Sequence, residues 1–420
     1  MSDKSGLINA GAMRTNAVSN LNRTRWLTLI GTIITQFALG SVYTWSLFNG
    51  QLSTKLDQPI SRVAFSFGLL SLGLAVASSV AGKLQERFGV RNVTIAAGVL
   101  MAVGFFLTAH ANNLFMLYLS AGVLVGLADG AGYLMSLSNC VKWFPERKGV
   151  VSACAIGAYG LGSLGFKFIC GYLLSISTLE HTFIIWGLLA MAMIIVGGLM
   201  MKDAPKQEVK TVNNHREQPR DFSLAEAMRM PQYWMLALMF LTACMSGLYV
   251  IGVAKDIGQG MVHLSALTAA NAVTVIAIAN LSGRLVLGVL SDKMARIRVV
   301  SIAQVISLVG MSILLFTHMN EAMFFGSLAC VAFSFGGTIT VYPSLVSDFF
   351  GLNNLTKNYG VIYLGFGIGS ILGSLIASLF GGFVVTFSLI TVLLIISLSI
   401  SATIRLPNKE QQAHNTLQHV

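Results

Sequence analysis

Three charged residues stand inside apolar runs of the chain: Asp129, Lys167 and Arg284. A charge within a bilayer costs several kcal/mol and marks a functional site unless the side chain can reach water. Arg284 follows Thr274, Ala277 and Asn280 at helical spacing, a stripe that can line a cavity. Its guanidinium stays charged and offers a planar fork that fits a carboxylate. Asp129 lies in VGLADGAGYLMS, a carboxyl among small and apolar neighbours. Burial disfavours the ionised form of such a group, which suits it to carry a proton.

Depth along a helix separates these three. Lys167 is 19 residues beyond Lys148, about 28 Å at 1.5 Å per residue, which puts it near the far surface. There its ammonium can snorkel to water, a structural role. Arg284 precedes Asp292 by eight residues, about 12 Å of helix, too deep for easy snorkelling. We read it as a carboxylate anchor; the alternative is a structural pair with an acid or with backbone carbonyls. Asp129 precedes Lys142 by 13 residues, about 20 Å, near the midplane. It reads as a proton-coupling site, as a counter-ion to Arg284 in the empty molecule, or as a structural partner of nearby polar groups. The two heights differ by about 8 Å, which leaves direct pairing open.

Aromatic residues complete the candidate pocket: Tyr43, Trp45, Tyr133, Tyr159, Tyr363 and Phe366 lie away from the ends of apolar segments. Tyrosine hydroxyls can orient a carboxylate while the rings exclude water. Each taken singly is as readily a helix-packing residue. Tyr133 follows Asp129 by four residues, on the same helical face, and Tyr363 and Phe366 are three apart.

The elements that position these residues must be membrane spans. The chain has 420 residues, 55% hydrophobic and 10% charged, against roughly 25% charged in soluble proteins. Mean hydropathy is +0.74. Twelve apolar segments fall at about 26–48, 61–81, 92–109, 114–140, 149–174, 182–200, 232–253, 265–290, 297–317, 322–345, 359–380 and 382–404. Each is long enough to cross a hydrocarbon core of about 30 Å. The first is too long for a signal-peptide core and lacks a small-residue cleavage site. Of the 27 Lys and Arg, only Lys55, Arg62 and Lys255 fall in one set of loops, and Lys167 and Arg284 lie inside segments. The rest gather at the termini and the alternate loops, which places both termini in the cytoplasm. This distribution accounts for the net charge of +11 without a nucleic-acid partner.

The organisation expected is a tail at 1–25, a six-helix bundle at 26–200, a polar linker at 201–231, a second bundle at 232–404 and a tail at 405–420. Ser223 and Glu226 form a capping-box pattern that predicts a short helix before span seven. The halves repeat weakly. GKLQERFGVR (82–91) is echoed by GVLSDKMARIR (288–298), Gly82 aligning with Gly288, Glu86 with Asp292 and Arg87 with Lys293. The same offset of 206 residues sets Arg284 against Ser78 and Asp129 against Phe335, so neither intramembrane charge belongs to the repeat. Repeated halves suggest alternating access about a midplane site. The loops carrying Gly82, Glu86, Arg87, Gly89, Arg91, Gly288, Asp292, Lys293 and Arg296 read as gating latches, Glu86 and Arg87 pairing with helix ends when that side is shut; the basic residues serve membrane topology equally well.

The GxLxERxGxR loop, twelve spans and six-plus-six division resemble the major facilitator superfamily over about residues 25–405. More narrowly, SVYTWSLF (41–48), WFPERKG (143–149), AYGLG (158–162) and KNYG (357–360) are similar to the oxalate:formate antiporter family, including its enteric-bacterial members implicated in pyruvate transport. The resemblance implies an all-α membrane protein of two pseudo-repeated six-helix bundles. It also implies that Tyr43, Tyr133 and Tyr159 line the pocket and that Arg284 matches an Arg of oxalate-transporting members. Those members carry a second cation, a Lys in span eleven, where this chain has Phe366. A dianion would leave one charge uncompensated in a dry site. The expectation is therefore a transporter of a small monocarboxylate, with pyruvate leading and lactate or formate next, coupled to protons, monomeric, in the bacterial inner membrane. An oxalate/formate-type exchanger, a drug-efflux carrier and a carboxylate-sensing receptor are the alternatives. No nucleophile–base set, metal cluster or phosphate loop stands out, so neither an enzyme nor a cofactor is expected. The seven His fall in loops, tails or segment ends, His318 among them, and the five Cys read as small core residues.

Overall fold

Backbone groups in a hydrocarbon layer must satisfy one another locally, so long apolar runs fold as helices. The computed structural model describes residues 4–205, 221–315, 319–380 and 383–407, with side chains from Leu21 onward apart from scattered positions. His318, most of the linker and the end of the C-terminal tail lie outside the described residues.

Among the described residues all twelve apolar segments are mainly helical. Among the described residues, nine helices are long and apolar enough to cross a membrane. One of these, Phe65–Ala109, spans 45 residues and holds two spans, divided at Gly89. The helix continues through most of the expected 82–91 loop as far as Phe88 and turns at Gly89, whose φ is 77°. Only glycine adopts that conformation cheaply. The carboxylate of Asp203 then accepts from the Val90 N–H and starts span three.

Span one belongs to a helix from Lys4 to Leu39 that tightens into 3₁₀ turns over Gly40–Leu47. Much of the expected N-terminal tail is thus continuous with the span, in keeping with a stretch that contains no proline. Span four runs Leu114–Trp143 through a widened turn at Tyr118–Leu124. Spans five to seven are Lys148–Ile176, Leu179–Met200 and Pro231–Gly260. Spans eight to ten are Ala266–Leu290, Arg296–Leu314 and Glu321–Phe350. Span eleven is interrupted at Tyr363, between Leu355–Ile362 and Leu364–Phe380. Span twelve is Phe383–Thr403. The short helix Leu224–Met228 carries the expected capping box, Ser223 and Glu226 each bonding the other's backbone N–H.

Glycines let spans touch through backbone. Gly40 lies on the Tyr159 carbonyl and Gly162 on that of Phe37, so spans one and five cross without intervening side chains. Gly126 and Gly130 do the same against Leu70 and Leu74 of span two. Large apolar side chains such as Phe115, Phe168 and Leu164 face outward, as a bilayer solvent requires. Among the cysteines, Cys140, Cys170 and Cys244 are buried, but Cys154 is exposed and Cys330 half-buried, which corrects the all-core expectation.

The halves meet at the lysine- and arginine-rich end. Asp292, in the turn just past span eight, caps span five, accepting from Gly149 N at 2.8 Å and Val150 N at 2.9 Å. Arg296 binds Asp348 with its Nη1 at 2.6 and 2.9 Å, and Lys148 reaches Ser347 at 2.8 Å. Glu86 pairs with Lys357 at 2.7 Å. Thr356, buried, joins Ser138 at 2.7 Å and Gln85 at 3.1 Å.

Candidate functional site

Span eight delivers Arg284 into the seam between halves. Gly283 packs on the Phe333 backbone and Asn280 meets Gly336, which presses span eight against span ten and turns its next residue toward span five. There Arg284 is 7% exposed. Its Nε donates to Asn280 Oδ1 at 2.7 Å, and its Nη1 donates to the Ile156 carbonyl at 2.5 Å. Gly160, one turn on from Ile156, faces the guanidinium, and a Cβ there would stand 3.5 Å from Nη1, in ordinary contact. No acid pairs with Arg284 and Nη2 has no protein partner among the described residues.

Asp129 is fully buried on span four. Its Oδ2 accepts from the Tyr159 hydroxyl at 2.7 Å, and its Oδ1 has no partner among the described residues. Arg284 and Asp129 do not touch. Span five bridges the height difference between them: Ile156 holds the guanidinium, and Tyr159, three residues or about 4.5 Å farther along, holds the carboxylate.

Aromatic rings link these groups into one wall. Tyr159 meets Tyr43 edge-on at 5.3 Å and Tyr133 edge-on at 5.1 Å. Tyr133 crosses to Tyr363 of the other half at 5.3 Å, and Tyr363 stacks on Phe366 at 5.2 Å. The tyrosines named from the sequence are therefore gathered, with Phe366 behind them. Gln36 steadies this wall by donating to the Tyr133 carbonyl and to Ser136.

Trp45 is a correction. It packs against Phe48 and Phe183 in a buried aromatic core with Trp186 and Phe105, within the first bundle. Residues two apart on a helix do not face each other; with Tyr43 turned to Tyr159, Trp45 turns instead to its own bundle. The latch is also narrower than expected. Glu86 reaches the other half, but Arg87 lies over the Phe88 ring and Arg91 binds the Leu199 carbonyl beside span six. In the related loop Gly288 packs on Gly149, Asp292 and Arg296 hold the network above, and Lys293 is exposed. Sequence reading missed Phe240 and Tyr359, which flank Tyr363 at 5.7 and 5.5 Å, and the Ile156 carbonyl. Tyr359, one turn before Tyr363, could have been found by its helical spacing; a backbone carbonyl has no sequence signal.

Comparison with known proteins bears on what this wall serves. The family profile of the Major Facilitator Superfamily matches residues 26–259 and 244–419. The chain is 76% identical over 353 residues to the "Uncharacterized MFS-type transporter YhjX" of Escherichia coli (strain K12), covering 84% of this chain and 87% of that one. It is 25% identical over 368 residues to the oxalate:formate antiporter of Oxalobacter formigenes, 85% of each chain. The crystal structure of the transporter FucP in the outward conformation superposes with a TM-score of 0.68 over 90% of this chain and 99% of that one, at 13% identity. With its twelve helices in two bundles and its match along nearly the whole sequence, the chain is a multi-pass membrane transporter, not an enzyme, and belongs to the major facilitator superfamily.

Proposed function

We propose that the protein moves a small monocarboxylate, pyruvate first among candidates, by rocking the bundles 26–200 and 232–404 about Arg284. The observation that carries this reading is a buried guanidinium that, among the described residues, has no acidic partner and an unbonded Nη2. An uncompensated buried cation invites an anion. One guanidinium matches one carboxylate through two parallel bonds. The rings of Tyr43, Tyr133 and Tyr363 supply a dry wall for a short organic tail.

Asp129 is the proton site in this reading. An ionised carboxylate with one hydrogen bond and no cation carries a large desolvation cost, which proton uptake removes. Proton and carboxylate then travel together as a neutral load. The seam closed at the lysine- and arginine-rich end corresponds to loading from the opposite side. With that end in the cytoplasm, both termini are cytoplasmic and the protein works as a monomer in the bacterial inner membrane, importing its substrate.

Likeness to the oxalate:formate antiporter favours a second reading, exchange of one anion for another. Uptake of labelled pyruvate into proteoliposomes separates the two. Uphill uptake that needs an inward proton gradient, and that formate or lactate but not oxalate inhibits, is the expected result. Uptake only into vesicles preloaded with anion would establish exchange, and failure of every carboxylate to enter would overturn the monocarboxylate assignment.

A further inference from the structure

The geometry points to Tyr159 as a positioning residue whose hydroxyl favours the ionised form of Asp129 and so sets the pH range over which the carboxylate is bound. This inference rests on the carboxylate and proton reading above. Sequence reasoning placed Tyr159 on the substrate; the structure turns its hydroxyl to Asp129 instead.

The Asp129 carboxylate can accept about four hydrogen bonds, yet Tyr159 gives it one and Oδ1 has none among the described residues. Among the described residues no other side chain donates a hydrogen bond to the carboxylate. Span five presents Tyr159, span one Tyr43, span four itself Tyr133, and span eleven Tyr363 beyond Tyr133. Span two, packed on the same helix, presents Leu70, Leu74 and Ser78, and the Ser78 hydroxyl is spent on the Gly130 carbonyl.

Tyr159 is also fixed in place. Its ring is wedged edge-on between Tyr43 and Tyr133, and its own carbonyl lies under Gly40. A phenylalanine keeps that packing and removes the hydroxyl alone. A hydrogen bond to an ionised acceptor is about twice as strong as one between neutral groups, so its loss penalises ionised Asp129 more than the protonated acid. Protonation removes a negative charge from a pocket that must accept a carboxylate; binding therefore tightens as pH falls. With the hydroxyl gone the proton stays on to higher pH, and the binding profile moves in the alkaline direction. A charged hydrogen bond of ordinary strength corresponds to a displacement of about one to two pH units.

The test is binding of pyruvate to the detergent-solubilised full chain between pH 5 and pH 9. Wild type, Tyr159→Phe, Asp129→Asn and Arg284→Gln are compared, each checked for monodispersity. Wild type should bind more tightly on acidification through a single titration, and Tyr159→Phe should bind as tightly at low pH with its midpoint displaced upward. Asp129→Asn, which keeps a neutral acceptor for the same hydroxyl, should bind with a flat profile and decides the question if Tyr159→Phe does not fold. An unmoved midpoint in Tyr159→Phe, even with lower affinity, would reduce Tyr159 to packing, and a titration that persists in Asp129→Asn would overturn the proposal too. Absence of pyruvate binding in wild type, or full binding by Arg284→Gln, would instead overturn the carboxylate reading on which it rests.

Discussion

Span five crosses span eight, and span two crosses span eleven, at related places in the two halves. At the first crossing Gly149 meets Gly288 and Ser291, Arg284 bonds the Ile156 carbonyl, and Gly160 faces the guanidinium. At the second, Gly82 meets Lys357, Gly360 lies on the Ser78 carbonyl, and Gly367 sits against Leu72 and Ala75. Ser78, the repeat partner of Arg284, spends its hydroxyl on the Gly130 carbonyl of its own bundle. One crossing is thus zipped backbone to backbone. The other is close-packed where Gly149 meets Gly288 and carries, deeper in, a cation that no described residue neutralises. The scaffold supplies a closing seam twice and an unpaired intramembrane cation once, which suits the proposed carriage of one small anion between two rocking bodies.

The sharpest way to break this comparison is to remove the cation. Arg284→Gln keeps a hydrogen-bonding group and deletes the charge. Two charge-assisted bonds to a carboxylate are worth about 1.5–3 kcal/mol each, so pyruvate binding should weaken about a hundredfold or more. Arg284→Lys should recover little, because an ammonium cannot span both the Ile156 carbonyl and a carboxylate as a fork does. Calorimetry on purified protein measures both. Retained affinity in Arg284→Gln would make the two crossings equivalent and the arginine structural.

The seam itself can be probed by filling it. A methyl at Gly360 would collide with the Ser78 carbonyl and with Leu134, whereas one at Gly160 would rest at 3.5 Å from Arg284 Nη1, an ordinary contact. Gly360→Ala should therefore cost about 1–3 kcal/mol of stability, the usual range for overpacking. Gly160→Ala should melt near wild type and weaken pyruvate binding only a few-fold. Thermal unfolding followed beside binding distinguishes them, and equal melting losses would mean that both crossings are close-packed at these glycines.

How much of this was legible beforehand differs by element. Twelve spans and their division into halves follow from apolar run length and linker polarity, because lipid leaves a backbone no other choice. The Ser223–Glu226 box is equally local and was found where expected. Arg284 and Asp129 could be singled out because charge in an apolar run is costly. Their partners could not. Ile156 contributes a carbonyl and Tyr159 a hydroxyl from span five, and which residues face them depends on how closely glycines let spans one, four and five approach. Trp45 was misplaced for a simpler reason: its spacing from Tyr43 already put it on another face, and aromatic type was weighed above angle. The break at Tyr363 gave no signal, since the segment contains no proline.

The helix cap at the first crossing should matter less than the cation. Asp292 satisfies two N–H groups at the start of span five and also meets Arg296 at 3.1 Å. Losing a cap of this kind costs about 0.5–2 kcal/mol. In Asp292→Ala the closed arrangement should lose roughly twofold to thirtyfold in population. Spin labels on Lys83 and Lys293, both exposed and in opposite halves, report it as a longer distance component. An unchanged distance distribution would show that the cap serves span five alone and not closure.

The ion pair at the second crossing should matter least. Glu86 and Lys357 meet at 2.7 Å, but the Glu86 side chain is 61% exposed. An exposed pair contributes about 0–1 kcal/mol, because water and salt screen it and two long side chains must be ordered to form it. Glu86→Gln should shift the same label distances by less than about fivefold in population. Raising the salt concentration should erase even that difference, while leaving the effect of Asp292→Ala largely in place, since a partly buried cap on backbone N–H groups is screened far less. If Glu86→Gln instead opened the seam as far as Asp292→Ala, the two crossings would share closure equally. The second would then hold by charge as much as by the contact of Gly360 with Ser78.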